Sequence, residues 1–168
     1  MDTKTLAGPH RYLLEKAVRL RREGFSMEKI KGELQKCIDS SISFVIPSDF
    51  DFLKRSGRLT PIAAKIGGLI KIVPVMTQTE DKKRIELFAI KRSCRRAVDA
   101  IIDHLKAKGI GEDYIISIGH AGVAEKAASV LAQIKEQFQC TTFELLQLSP
   151  SLMTHGGPGC VTIQVIKK

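Results

Sequence analysis

Tryptophan is missing from these 168 residues, and aromatic side chains make up only 5% of them. A nucleic-acid platform built on base stacking needs exposed rings, so that class has little material to work with. There is also no uncharged apolar run of the roughly 18 residues that a membrane-spanning helix requires. The start, Met1-Asp2-Thr3-Lys4-Thr5, lacks the basic-then-apolar pattern of a secretory leader, and a cytoplasmic location is the expectation. None of the four cysteines (Cys37, Cys94, Cys140, Cys160) forms a C-x-x-C pair. They read as free core thiols, not as a disulfide framework or a metal site. The sequence holds no G-x-x-x-x-G-K-[ST] loop, no H-E-x-x-H and no G-x-S-x-G elbow. With neither a nucleophile nor a cofactor loop to read, a binding protein without a cofactor is favoured over a free-standing enzyme.

Acidic residues are scarce as well: 18 Asp and Glu face 27 Lys and Arg, a net charge of +9. Such a surplus attracts anions, whether nucleic acid, membrane or acidic protein, and charge alone does not choose among them.

What is present is a chain long enough for one substantial core, with hydrophobic periodicity that alternates between helix and strand. Residues 10–23 place Leu13, Leu14, Ala17, Val18 and Arg21 at helical spacing, and Gly24 supplies a stop. Ser26 then caps a second helix to about Asp39, with Ile30, Leu34, Cys37 and Ile38 on its apolar side. The pair forms a helical hairpin over 1–40. Ser41 to Ile46 reads as a strand ending at Pro47, followed by a short helix from Ser48 or Asp49.

A helix with one apolar face (Ile62, Ile66, Leu69, Ile70) starts at Thr60-Pro61. Strands over 71–79 and 84–90 make a hairpin, and a helix covers 92–108. Beyond these lie strand 114–119, helix 123–137 and strands 141–147 and 160–167. This order predicts an α/β domain over 41–168, a mixed β-sheet covered by helices.

Three constellations carry possible chemistry. In Lys54-Arg55-Ser56-Gly57-Arg58-Leu59-Thr60-Pro61, a glycine turn precedes a helix amino terminus and a guanidinium stands beside it, a pattern that suits a carboxylate or phosphate. A basic turn that merely joins two helices is the plain alternative. Gly67-Gly68 inside the apolar helix lets something approach closely, either a packed neighbour or an apolar ligand. The strand Ile72-Val73-Pro74-Val75-Met76 stands ready as a second wall.

The third, His155-Gly156-Gly157-Pro158-Gly159, reads as a glycine-rich loop that holds an imidazole at a pocket mouth. Glycine-rich entry into a strand with no site at all is equally open. His120 ends a buried strand, where α/β sheets tend to bind ligands, although a local turn role suits it too. His10 and His104 read as solvent-facing.

Taken in order, Asp2-Thr3-Lys4-Thr5, the helical hairpin, Phe52 to Leu59, Ile66-Gly67-Gly68-Leu69-Ile70-Lys71-Ile72-Val73-Pro74-Val75, Lys91-Arg92-Ser93 and His155-x-Gly157-Pro158-Gly159 resemble the DegV family over nearly the whole chain. The resemblance implies the carboxyl-terminal domain type of that family. It implies a bound long-chain fatty acid with its acyl chain in this domain, and for some members a fatty acid kinase catalytic subunit as partner. It makes Arg58 and His155 carboxylate residues. It makes Ile62, Ile66, Gly67, Leu69, Ile70, Ile72, Pro74 and Met76 the acyl-pocket lining.

Ser56 stands where the family usually has a second glycine. An amino-terminal region on the order of 100 residues, the size of a domain, is expected from the family and lies outside this sequence. The chain is therefore expected to be truncated, with the hairpin bridging to that region. The basic run Lys82, Lys83, Arg84, Lys91, Arg92, Arg95 and Arg96 places seven cations in fifteen residues. Arg92 and Arg95 are expected to serve docking of a kinase or transient membrane contact, with a solvated surface as the alternative. A basic nucleic-acid-binding or general anion-binding protein is the competing class, and nucleic acid is not the expected partner.

Overall fold

The computed structural model describes residues 1–64, 72–138 and 142–168. Helices α1 (Ala7–Arg22) and α2 (Met27–Ser40) form the amino-terminal hairpin. Strand β1 (Ile42–Ile46) follows, then α3 (Phe50–Arg55), α4 (Pro61–Ala64), β2 (Val73–Gln78) and β3 (Ile85–Lys91). The remainder runs α5 (Cys94–Ala107), β4 (Tyr114–His120), α6 (Ala124–Lys135), β5 (Thr142–Gln147), α7 (Pro150–Gly156) and β6 (Val161–Lys167). The strands make one sheet in the order β3-β2-β1-β6-β4-β5. All neighbours are antiparallel except β4 and β5, which are parallel and joined through α6. This is the mixed, helix-covered sheet that the sequence order predicts.

Strand alternation divides the sheet into two unlike faces. On one face Phe44, Ile46, Ile116, Ile118, Val161 and Ile163 pack with Val98, Ile101, Leu105, Val130 and Ile134 of α5 and α6 into the main core. The opposite face is covered in two parts. The α1–α2 hairpin seals β4 and β6 through Tyr12, Leu13, Cys37, Ile38, Ile115 and Ile166. Leu53, Leu59 and Ala63 cover Met76 on β2. Gly8 lets α1 come close to the sheet, because a Cβ there would overlap the Ser117 hydroxyl.

Several expectations are corrected. The buried stripe of α1 is Tyr12, Leu13, Lys16 and Leu20, while Leu14 and Val18 are half exposed at 57% and 50%. The face rotates because Lys16 lays its stem against the core and donates from Nζ to Cys37 Sγ at 3.1 Å. His104 is half-buried; it packs edge-to-face on Phe44 and Phe88 at ring separations of 5.8 and 5.1 Å. Residues 150–156 form a helix that the reading as a loop misses. Ser149-Pro150 starts it, and Gly157, at φ 82°, stops it.

The basic run over 82–96 is not one patch. Lys82–Arg84 and Lys91–Arg96 lie at opposite ends of β3, about 20 Å apart at roughly 3.4 Å per residue. Lys82 is committed internally, with Nζ donating to the Ile38 and Ser41 carbonyls at 2.5 and 3.0 Å and to Ser41 Oγ at 2.8 Å.

Cys37, Cys94 and Cys160 are free thiols, and Cys140 lies outside the described residues. Among the described residues no helix is long and apolar enough to cross a membrane.

Candidate functional site

The face of the sheet away from α5 and α6 presents two rows of side chains. Register sets Val45 opposite both Met76 and Thr162, and Ser43 opposite Gln164. The first row is mainly apolar and the second polar. The chain before α1 crosses above the polar row, because Gln78 Nε2 donates to the Lys4 carbonyl at 3.1 Å and Gln164 Nε2 to the Leu6 carbonyl at 3.3 Å. With α3 and α7 closing the side, a cleft of about 510 Å³ remains between these walls. That volume is in the range of small-molecule sites, roughly 300–1,000 Å³.

Arg58 reaches the cleft because its turn is built rigidly. Asp49 Oδ1 caps α3 by accepting from Phe52 N–H at 3.1 Å, and Ser56 Oγ closes its last turn onto the Leu53 carbonyl at 2.6 Å. Gly57, at φ 71°, reverses the chain. Arg58 and Thr60 then bond to the backbone of Ile85 at 2.9 and 2.8 Å, which fixes the turn to the start of β3. The guanidinium donates from Nη1 to the Ser56 carbonyl at 2.7 Å. Its other N–H groups are the ones available to a ligand.

His155 lies in the last turn of α7, one residue before Gly156, where a Cβ would press on Cys160 Sγ at 2.8 Å. It lines the same cleft as Arg58, although 97 positions separate them. Burial, and then the neighbouring Arg58 charge, hold its pKa below the ordinary 6.5. The imidazole is therefore neutral at neutral pH and acts as a hydrogen-bonding group, leaving the positive charge to Arg58. Its Nδ1 is buried and has no partner among the described residues.

Of the proposed acyl-pocket residues, Met76 lines the cleft. Ile62 is 81% exposed and faces solvent instead, because α4 buries Ala63 in its place. Pro74 is buried and Ile72 half-buried, and neither borders the cleft. Ile66, Gly67, Leu69 and Ile70 lie outside the described residues.

His120 is buried at the end of β4, its Nδ1 without a partner among the described residues, and it does not join Arg58 and His155. Arg92 and Arg95 are exposed at the junction of β3 and α5. Strand registers put this junction at the end of the sheet where α7 enters β6. Among the described residues no group of three or more His, Cys, Asp or Glu could hold a metal.

The residues that sequence reading missed are Thr5, Thr162, Gln164, Leu148, Leu152 and Cys160, all on the cleft wall. Alternation in β6 places Thr162 and Gln164 on one face, but nothing local shows that this face borders a cleft and not a helix.

The family model described as "Uncharacterised protein, DegV family" matches residues 1–168. A DegV domain-containing protein of Staphylococcus aureus (strain N315) is 28% identical over 170 residues, with 100% of this chain and 60% of that protein covered. The crystal structure of a fatty acid binding DegV family protein from Streptococcus agalactiae superposes with a TM-score of 0.89 at 25% identity, covering 100% of this chain and 59% of that one. That of DegV, a fatty acid binding protein from Bacillus subtilis, gives 0.82 at 25% identity, covering 100% and 60%. The chain thus spans about 60% of the length of these relatives.

Proposed function

The chain belongs to the DegV family, and on that footing we propose that it is a non-catalytic fatty-acid-binding protein whose cleft receives a long acyl chain and directs its carboxylate to Arg58 and His155. The observation that carries this reading is the convergence of those two side chains, far apart in sequence, on one cleft. The apolar walls Val45, Leu53, Leu148 and Leu152 suit an aliphatic guest. A guanidinium beside a neutral imidazole suits one carboxylate. Relatives from Streptococcus agalactiae and Bacillus subtilis are described as fatty acid binding. Met76 is the residue of the proposed acyl wall that borders the cleft, and Ile62 is left out because it faces solvent.

The ligand itself is the only small molecule that the proposal requires; no cofactor enters. The bound acid is presented to a fatty acid kinase catalytic subunit, which performs the phosphorylation. Arg92 and Arg95 are the proposed docking residues, since they are exposed and stand at the end of the sheet that α7 occupies. Acid is taken up in the cytoplasm through transient contact with a membrane. The hairpin 1–40 serves as the bridge to the rest of the relatives' length, with 41–168 as the lipid-binding domain. Nucleic acid is disfavoured, because the basic run is divided between two ends of the sheet and Lys82 is spent on backbone carbonyls.

Organic extraction of the purified protein followed by mass spectrometry tests the proposal. Long-chain fatty acid in near-stoichiometric amount is expected. A stoichiometric ligand that is not a lipid, or failure of added fatty acid to bind, would overturn it.

A further inference from the structure

Arg58 and His155 sit on separate pieces of backbone, and one side chain connects them. Arg58 follows α3 through Ser56 and Gly57, and His155 lies in the last turn of α7, two residues before Gly157. Phe52 of α3 is half-buried and does not border the cleft. It packs instead on the end of α7: a Cβ on Gly157 would stand 3.1 Å from Phe52 Cδ1 and Cγ and 3.3 Å from its Cβ. A side chain at 157 would press on the ring. Gly159 extends the contact, since a Cβ there would overlap Ser48 Oγ, just ahead of α3. Two glycines of this loop therefore lie directly against the segment that begins α3.

The ring is held from its own side as well. Its backbone N–H is bonded to the Asp49 cap at 3.1 Å, and the Arg55 guanidinium lies 5.6 Å from its centroid. From Phe52 to Arg58 the path is hydrogen-bonded, through Ser56 Oγ on the Leu53 carbonyl and Arg58 Nη1 on the Ser56 carbonyl. From Gly157 to His155 it is bonded too, with Gly157 N–H donating to the Met153 carbonyl at 2.9 Å. A displacement at the Phe52–Gly157 contact is thus passed on to the guanidinium and the imidazole. The two are near enough for the Arg58 charge to act on His155.

From this geometry we infer that Phe52 is a positioning residue, whose packing on Gly157 sets the spacing of Arg58 and His155 and so shapes the head-group end of the cleft. Its effect on ligand rests on the fatty-acid reading and deepens it, whereas its effect on the spacing does not depend on that reading. A binding constellation needs its side chains held in place by packed neighbours that touch no ligand themselves. Phe52 is such a neighbour to both.

Two measurements test this: NMR titration of the His155 ring, identified by its loss in His155→Gln, and titration calorimetry with octadecanoic acid. In Phe52→Ala the His155 pKa should rise toward 6.5, because burial and then the Arg58 charge are what hold it down. Affinity for octadecanoic acid should fall roughly tenfold, as when one hydrogen bond to a charged group is lost. A side chain that only stabilised the fold would leave the His155 pKa of the folded protein unmoved. Phe52→Leu keeps Cβ, Cγ and Cδ1, the atoms that meet Gly157, and removes the ring beneath Arg55. It should restore both values.

An unmoved His155 pKa in folded Phe52→Ala, or a shift in Phe52→Leu as large as in Phe52→Ala, would overturn the inference and leave fatty-acid binding standing. If Phe52→Ala does not fold, Phe52→Val, which lacks Cδ1, takes its place with a smaller shift in the same direction. If the unaltered protein binds no octadecanoic acid, the fatty-acid reading fails, and the His155 titration still decides the role of Phe52.

Discussion

The two faces of one sheet differ in what they do with the same strands. Toward α5 and α6, the central inward residues of β1 and β6 are apolar and buried to 2% exposure or less: Phe44, Ile46, Val161, Ile163 and Val165. Toward α3, α7 and the amino-terminal segment, the alternate residues include Ser43, Thr162 and Gln164, and a cleft remains. The first face has the close packing of a protein interior. The second leaves polar atoms at Thr5, His155 and Thr162 that have no partner among the described residues. One face closes into a packed core, and the other leaves a cleft of about 510 Å³.

That contrast is sharpest in mutational response. Ile118→Ala on the closed face should cost about 2–5 kcal/mol, as large-to-small core changes do, seen as a lower urea midpoint. Any loss of fatty-acid binding should follow the loss of folded protein. Arg58→Ala on the open face should do the reverse. Removing a hydrogen bond to a charged group is worth about 1.5–3 kcal/mol, so affinity should fall about tenfold to a hundredfold in a displacement assay. The urea midpoint should shift little. A large stability loss in Arg58→Ala with affinity retained would break the comparison.

Acid should separate the faces more gently. His155 beside the cleft and His104 among Phe44 and Phe88 both have pKa values held below 6.5, in each case by burial first and then by a neighbouring cation, Arg58 or Lys108. A histidine whose folded pKa is lowered binds protons less readily than in the unfolded chain. Stability is therefore fully present above about pH 6.5 and declines as pH falls toward the lowered values. If fatty acid binds as proposed, its carboxylate beside His155 should raise that pKa, so ligand should blunt the decline, and His155→Gln should remove that part of the ligand effect. Urea midpoints between pH 5 and 8, with and without ligand, measure this. The smallest effect is expected outside both faces: Leu14→Gln, at a position 57% exposed on α1, should stay within about 0.5 kcal/mol.

Much of this architecture is legible in the one-dimensional pattern. Ser26 and Ser93 cap helices by accepting from Lys29 N–H and Arg96 N–H, and Gly24 and Gly109 follow helix ends at positive φ. These signals are local, so they survive without knowledge of the fold. Helix α7 escaped because it is only 7 residues long and its glycines suggest a loop, yet Ser149-Pro150 is a start signal. The stripe on α1 was misplaced because Lys16 counts as polar in any hydrophobic pattern, while its stem is buried and its ammonium bonded to Cys37.

By itself the sequence determined the family, the order of elements apart from α7, and the mixed sheet, and it singled out Arg58 and His155 as candidates, since short motifs and periodic patterns are carried by neighbours along the chain. Only the tertiary structure decided that these two line one cleft, that Ile62 turns to solvent, and that the basic run over 82–96 is split between two ends of β3. It alone placed Thr5 and Thr162 at the cleft wall. The reason is physical: strand pairing joins residues more than a hundred positions apart, as Val45 joins Thr162. Which of them share a pocket depends on register and packing that no local stretch encodes.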